Sequence, residues 1–273
     1  MTVGAIRVSP GWLDLRERAD AAARSRELVA HLRRRLPARG RAVIHDLACG
    51  SGAMGRWLAP RLAGPQHWVL HDRDPDLLAL AATEVPGAAA DGAAVAVETR
   101  LSDITRLGGD DLAGATLVTA SALLDLLTRD ELAGLIRACA GAGCPVLLAL
   151  SVTGRVRLAP ADPLDTRLAA AFDAHQRRPT SRGRLLGPDA VEAAVEAFRR
   201  LGAEVVVGQS PWRLGPAECG LALEWLAGWL GAACEQEPEL AAHADRYRRR
   251  RAEEAEAGCL AVTVGHADLL VMP

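Results

Sequence analysis

From Ala42 onward the chain alternates short β-like runs with segments of helical spacing, and this alternation limits the fold more than any other feature. The order is AVIHDLA, MGRWLAPRL, HWVLHD, PDLLALAATEV, AAVAVE, ATLVTA, TRDELAGLIRACA and CPVLLALSV. Strands and helices in this rhythm make βαβ units, whose right-handed crossovers build a parallel sheet with helices on both faces. After the fifth β-run the rhythm breaks over a stretch rich in arginine, proline and glycine. It resumes with a helix over 188–201 and the run AEVVVG. Helical spacing then covers 218–230 and 239–257, and CLAVTV and HADLLVM close the chain. Upstream, residues 9–36 carry apolar positions at helical spacing and end at Pro37 and Gly40. The expected organisation is α/β and doubly wound: a helical cap over 1–40, a core over 41–154, an insertion over 155–187, and a return to the core over 188–273 interrupted by a helical insertion over 217–257.

A chain of 273 residues, half of them hydrophobic and 24% charged, buries one large core and is neither disordered nor disulfide-stapled. All 32 basic residues are arginines. The lack of lysine excludes a Schiff-base amine, pyridoxal chemistry and a Walker A loop. A net charge of −2 supplies no basic field to attract nucleic acid or an anionic membrane, so small molecules are the expected partners. The basic run Arg246 to Arg251 precedes Glu253, Glu254 and Glu256, and pairs Arg249–Glu253 and Arg250–Glu254 predict a solvated, self-neutralised helix. Six cysteines without a CxxC pair or zinc spacing read as buried thiols in a reducing compartment, with no metal site. The first thirty residues carry charges instead of an apolar leader and no stretch is long enough for a membrane span, so a cytoplasmic location is expected.

The first β-run ends in Asp46-Leu47-Ala48-Cys49-Gly50-Ser51-Gly52, with Gly55 three residues on. Taken literally, Gly50-x-Gly52-x-x-Gly55 is a dinucleotide fingerprint, and Asp72 follows at the end of the second run. Glycines there let backbone approach a cofactor at a helix N-terminus, and the strand-two acid bridges ribose hydroxyls. Asp46, four residues before Gly50, repels a diphosphate but suits a cationic amino-acid tail. Asp103, after the third run, is placed to accept from an adenine amino group. Three carboxylates in this order favour a ligand carrying an ammonium and a sulfonium, such as S-adenosylmethionine, over NAD.

At these residues the sequence resembles the class I S-adenosylmethionine-dependent methyltransferases. Asp46, Gly50 and Gly52 match the acid and glycines of the first motif, with Ala48 in place of its first glycine and Cys49 inside the loop. Asp72 and Arg73 in LHDRDP match the ribose-binding position, and Asp103 and Ile104 the adenine-binding one. In LVTASALLDLL, Ala120 and Ser121 would line the methionine end. The resemblance covers residues 41–152. It implies a seven-stranded, mostly parallel sheet in the order 3-2-1-4-5-7-6 with the seventh strand antiparallel, S-adenosylmethionine as cofactor and S-adenosylhomocysteine as product. The whole chain also looks like bacterial small-molecule methyltransferases, which supply no substrate. The activity it implies is methyl transfer to a small acceptor, acidic or aromatic. The alternatives are an NAD-dependent oxidoreductase and a non-catalytic cofactor-binding protein on the same fold. Ala48 is a departure, because its Cβ narrows the loop.

In-line methyl transfer needs alignment and exclusion of water, and a base only when the nucleophile arrives protonated. Acceptor-side residues belong beyond the ends of strands four and five or on the caps. Asp125 is one candidate base, although it also fits a helix start. His175, read as a loop residue, is the other. Arg155 and Arg157 share a face if extended, and with Arg177 they offer forked donors to a carboxylate or phosphate. Trp12, Trp212 and Arg213 are candidate walls of the acceptor site. Trp225 and Trp229, at i and i+4, fit the buried face of a helix better than a substrate wall. His266 and Asp268 fit the rim or a sheet end equally. The helical insertion fits a lid or a dimer surface, and the chain a monomer or homodimer.

Overall fold

The computed structural model describes residues 8–36 and 40–273. Pro37, expected to end the N-terminal helical segment, lies outside them. That segment is two helices, α1 (Pro10–Ala23) and α2 (Arg26–Arg33), broken at Arg24 where the Ser25 hydroxyl accepts from the Leu28 N–H and starts the second. The core then runs β1 (Ala42–Leu47), α3 (Ala53–Leu58), β2 (Gln66–Asp72), α4 (Pro75–Glu84), β3 (Val95–Leu101), β4 (Leu117–Ser121), α5 (Arg129–Gly141) and β5 (Val146–Ala159). Its helices start where the sequence supplies caps: Asp74 on α4, and Thr128 with Glu131 as a reciprocal capping box on α5.

After β5 come α6 (Asp165–Gln176), a hairpin of β6 (Pro179–Thr180) and β7 (Gly183–Arg184), α7 (Ala190–Arg200), β8 (Glu204–Gln209), β9 (Trp212–Leu214), α8 (Cys219–Gln236), α9 (Ala241–Glu256) and β10 (Ala261–Met272). The sheet order is β3-β2-β1-β4-β5-β10-β8, with β10 antiparallel to both neighbours. With β8 and β10 as sixth and seventh strands, this is the 3-2-1-4-5-7-6 order. Side chains alternate across it. Ile44, Leu117 and Leu147 pack on one face with α2, α3 and α4, while Leu47, Val118 and Leu148 pack on the other with α5 and α7.

A third core departs from the expected organisation. β5 and β10 continue past the sheet as an antiparallel ribbon as far as the Ala159–Ala261 pair, and β9 joins its edge. On this ribbon α6, α8, α9 and α1 bury Leu158, Leu168, Trp212, Tyr247 and Val262. Residues 155–187 are therefore not an irregular insertion: Arg155 and Arg157 extend β5, and a twelve-residue helix and a hairpin follow. Alternate charges and Gly154, at φ +70°, hide the strand in the sequence. Trp225 and Trp229 stack 5.3 Å apart inside this core, as a buried helix face.

The basic run behaves differently from expectation. Arg251 is fully buried, with its guanidinium donating to Asp165, Glu254 and the Pro160 carbonyl, and Arg250 pairs with Asp162. Asp162 and Asp165 from the α6 region, distant in sequence, and Glu254 at i,i+3 to Arg251 take the place of the expected i,i+4 pairing. All six cysteines are free, but only Cys49, Cys139 and Cys144 are buried, and Cys259 is exposed. Among the described residues no helix is long and apolar enough to cross a membrane.

Candidate functional site

The loop from β1 to α3 places alternate residues in the left-handed region: Ala48 (φ +52°), Gly50 (+56°) and Gly52 (+86°). A Cβ on Gly52 would lie 3.1 Å from that of Ala81 on α4, and one on Gly55 would lie 2.7 Å from Val85 Cγ2. Glycine is thus required for the close passage of loop and α3 against α4. Ala48 keeps the left-handed backbone despite its side chain, at a cost of about 1–2 kcal/mol.

Three carboxylates surround this loop, each at a strand end. Asp72 uses both oxygens on backbone: Oδ2 accepts from the Gly50 N–H at 2.9 Å and Oδ1 from the Asp74 N–H at 3.0 Å. The acid assigned to a ribose therefore also fixes the glycine loop. Asp46 is completely buried, and its Oδ1 accepts from the Thr119 hydroxyl at 2.7 Å while Oδ2 has no partner. Burial pushes its carboxyl up to about 7, against the pull of the Thr119 bond and of Arg24. Asp103 is exposed and accepts from the Thr105 N–H and hydroxyl, with Ile104 buried beneath. The strand registers bring these ends together, since Leu47 pairs with both His71 and Ala120, and Asp72 with Leu101. Ala120 and Cys49 are buried, Arg73 is exposed and Ser121 half-buried. Burial pushes the Cys49 thiol up, so it stays protonated.

Three residues of this region are not singled out by the sequence. Arg24, at the end of α1, is buried, rests on the Trp57 ring and donates to the Ala53 carbonyl and the Ser121 hydroxyl. His45 and His71 stack, with Nδ1 of the first 3.0 Å from Nε2 of the second, and His71 Nδ1 lies 3.1 Å from Ser102 Oγ. Burial holds both imidazoles down at about 4, hence neutral. His45 alternates with Ile44 and Asp46 along β1, which is the one local signal for it.

On the side of the cap, the structure brings Trp12 and Trp212 to 6.4 Å between ring centroids. The Arg16 guanidinium lies over Trp212 at 4.9 Å and Trp12 at 6.0 Å and pairs with Asp20, which also accepts from the Trp212 indole at 2.9 Å. His266 packs on Trp212 at 5.2 Å and donates from Nδ1 to the Val264 carbonyl, and burial lowers it to about 4. Asp125 sits on a single 3-10 turn after β4 rather than on a helix cap, and burial pushes it up to about 6 against the pull of Arg16.

Other expected residues are not brought there. His175 is in the last turn of α6, not in a loop, with Nε2 3.0 Å from Glu235 on α8 and Nδ1 3.4 Å from Arg178. Arg177 makes a two-pronged bond to Asp189, 2.7 Å at each prong. Arg155, Arg157 and Arg213 are exposed on the ribbon. Asp268 lies within β10 opposite Gly208, and its carboxylate is filled by the Ser25 and Leu150 N–H groups and the Ser210 hydroxyl.

Strand order and reversed seventh strand together give the chain the class I methyltransferase fold. No protein-family model matches the chain, and no curated protein matches it. Solved structures similar to it include a SAM-dependent methyltransferase from Geobacter sulfurreducens in complex with S-adenosyl-L-homocysteine, 17% identical, covering 98% of this chain and 100% of that one at a TM-score of 0.47. A methyltransferase from Thiobacillus denitrificans, also with S-adenosyl-L-homocysteine, is 15% identical over 98% and 100%, at 0.46. The cyclopropane synthase MmaA2 from Mycobacterium tuberculosis is 12% identical over 96% and 94%, at 0.49.

Proposed function

We propose that the chain binds S-adenosylmethionine at the β1 loop and transfers its methyl group to a small-molecule acceptor. The observation that supports this most is Asp46: a fully buried carboxyl with one unpartnered oxygen, at the root of a glycine loop, fits an ammonium and disfavours a diphosphate. When bound, the cofactor supplies a methyl group on a sulfonium, open to in-line displacement by a lone pair. Asp46 takes the ammonium, Asp72 the ribose hydroxyls and Asp103 the adenine amine, with Ala120 and Ser121 along the methionine end. Trp12, half-buried against Arg16 and the buried Trp212, excludes water and suits a flat or apolar acceptor. Asp125, titrating near 6, accepts a proton from a nucleophile that arrives protonated. Arg155, Arg157 and Arg213 lie exposed on the ribbon, and His175 and Arg177 are committed to Glu235 and Asp189, so none of the five has a part in this reading.

Calorimetric titration of the purified protein with S-adenosylmethionine, S-adenosylhomocysteine and NADH tests it. The first two bind in the micromolar range, on the order of −8 kcal/mol, and NADH gives no heat. Binding of NADH alone overturns the proposal in favour of a dinucleotide oxidoreductase. Turnover with an identified acceptor then separates an enzyme from a non-catalytic binder.

A further inference from the structure

Among the described residues two arginines are buried, and they differ: Arg251 is paired with both Asp165 and Glu254, whereas Arg24 has no such partner. The half-buried Arg16 and Arg56 are also paired, with Asp20 and Glu17. Arg24 is 2% exposed, and no carboxylate touches it. Its two hydrogen bonds go to neutral oxygens at the long end of the range, 3.4 Å to the Ala53 carbonyl and 3.3 Å to the Ser121 hydroxyl, and its Nε has no partner. The acids nearest to it are already engaged. Asp20 is held by Arg16 and Trp212, Asp46 by Thr119, and Asp268 by two backbone N–H groups and Ser210. A guanidinium withdrawn from water without a counter-anion is costly, and a planar fork with an unused donor is shaped for a carboxylate.

Its place makes the ligand specific. Ala53 opens α3 directly after the glycine loop, and Ser121 ends β4, so Arg24 lies at the switch point between the first and fourth strands, where open α/β sheets bind their ligands. On the loop's other helix, the Arg56 fork is filled by Glu17 and by the Ser51 carbonyl and hydroxyl, and the chain has no lysine. We infer that Arg24 binds the α-carboxylate of the cofactor's amino-acid end, so that Arg24 and Asp46 form a charge-matched cradle for a zwitterion. This rests on the reading of the loop as an S-adenosylmethionine site, and it deepens that reading by assigning a positioning residue contributed by the N-terminal helices.

The test is a ligand-by-residue comparison by calorimetry. Three probes are titrated into wild type and Arg24→Gln: S-adenosylhomocysteine, its decarboxylated analogue that keeps the amine, and 5′-methylthioadenosine, which lacks the whole tail. Wild type should prefer S-adenosylhomocysteine over the decarboxylated analogue by roughly 10- to 150-fold, the range for a hydrogen bond to a charged group. Arg24→Gln should remove most of that preference and leave 5′-methylthioadenosine unchanged. Equal wild-type affinity for the acid and its decarboxylated analogue overturns the inference while leaving the methyltransferase reading intact, and needs no variant to fold. An equal loss for all three probes in Arg24→Gln also overturns it, since it marks a merely structural arginine. Failure of all three to bind wild type overturns the cofactor reading itself.

Discussion

Replacing Asp46 by asparagine should stabilise the ligand-free protein at alkaline pH while it weakens the cofactor, which is the opposite of what loss of a structural residue does. The carboxyl is completely buried and titrates near 7 rather than at its ordinary value of 3.8. The folded state therefore holds a proton that the unfolded chain has released, and stability falls as pH rises between these two values. The full penalty is about 4 kcal/mol above pH 7, of which about 2–3 kcal/mol accrues between pH 5 and pH 8. Asparagine keeps an oxygen for the Thr119 hydroxyl but leaves an unpaired N–H donor, which costs about 1–3 kcal/mol at every pH. The pH-independent part cancels when the difference between variant and wild type is compared at the two pH values. Burial also holds His45, His71 and His266 at about 4, so these contribute stability that increases from about pH 4 to pH 6.5. They are common to both proteins and cancel as well. Urea unfolding followed by tryptophan fluorescence should give a variant-minus-wild-type stability about 2–3 kcal/mol more favourable at pH 8 than at pH 5. A difference that is flat with pH would show that Asp46 is not a strained buried acid, and the argument for a cation at its free oxygen would fail with it.

Three further outcomes follow from packing and pairing. Gly55→Ala puts a Cβ 2.7 Å from Val85 Cγ2 and should cost about 1–3 kcal/mol in urea unfolding, with weaker binding of S-adenosylhomocysteine as α3 shifts; wild-type stability would refute the close approach. Arg251→Ala leaves the half-buried carboxylates of Asp165 and Glu254 without their cation, so a loss of about 3–5 kcal/mol and a clear fall in Tm are expected; a change within about 0.5 kcal/mol would mean that the pairs are not closed in solution. Trp212→Phe keeps an aromatic ring but removes the donor to buried Asp20, costing about 1–3 kcal/mol; an equal effect in an Asp20→Ala background, which has no acceptor, would show that the indole bond is not the cause.

The parts of the molecule legible in the sequence are those whose signals are local. Strand alternation points to a doubly wound parallel sheet, the family resemblance supplies its strand order, and Asp46, Asp72 and Asp103 are legible as strand-end residues because each closes a β-run where the chain turns. Arg155 and Arg157 share a face, as expected of an extended segment, but the sequence does not show that they continue β5 as the exposed side of a ribbon whose other side carries Leu158 into the third core. His175 was misread for a related reason. The helix α6 has Ala and charged residues around most of its surface, and only Leu168 and Ala171 are buried along it, too weak a stripe to register as helical periodicity.

What the sequence hides is the way the cap completes the cofactor loop, because each link joins residues far apart in the chain. The bond from Arg24 to Ser121 spans 97 positions and that from Trp212 to Asp20 spans 192. Arg24 is one of 32 arginines, and nothing in its neighbours separates it from the solvated ones. Its burial is set by three contacts made elsewhere: the Glu17–Arg56 pair and the indole of Trp57 on the Ala21 carbonyl dock α1 on α3, and Asp268 on β10 captures the Ser25 N–H. The N-terminal helices are thus fastened at points on either side of Arg24, and the guanidinium is driven into the switch point by contacts that do not involve it. A chain that only needed to cover its sheet could have placed an alanine there at less cost. The expense of a buried, unpaired cation held by that many fastenings is the physical reason to regard α1 and α2 as part of the binding site rather than as a lid over it.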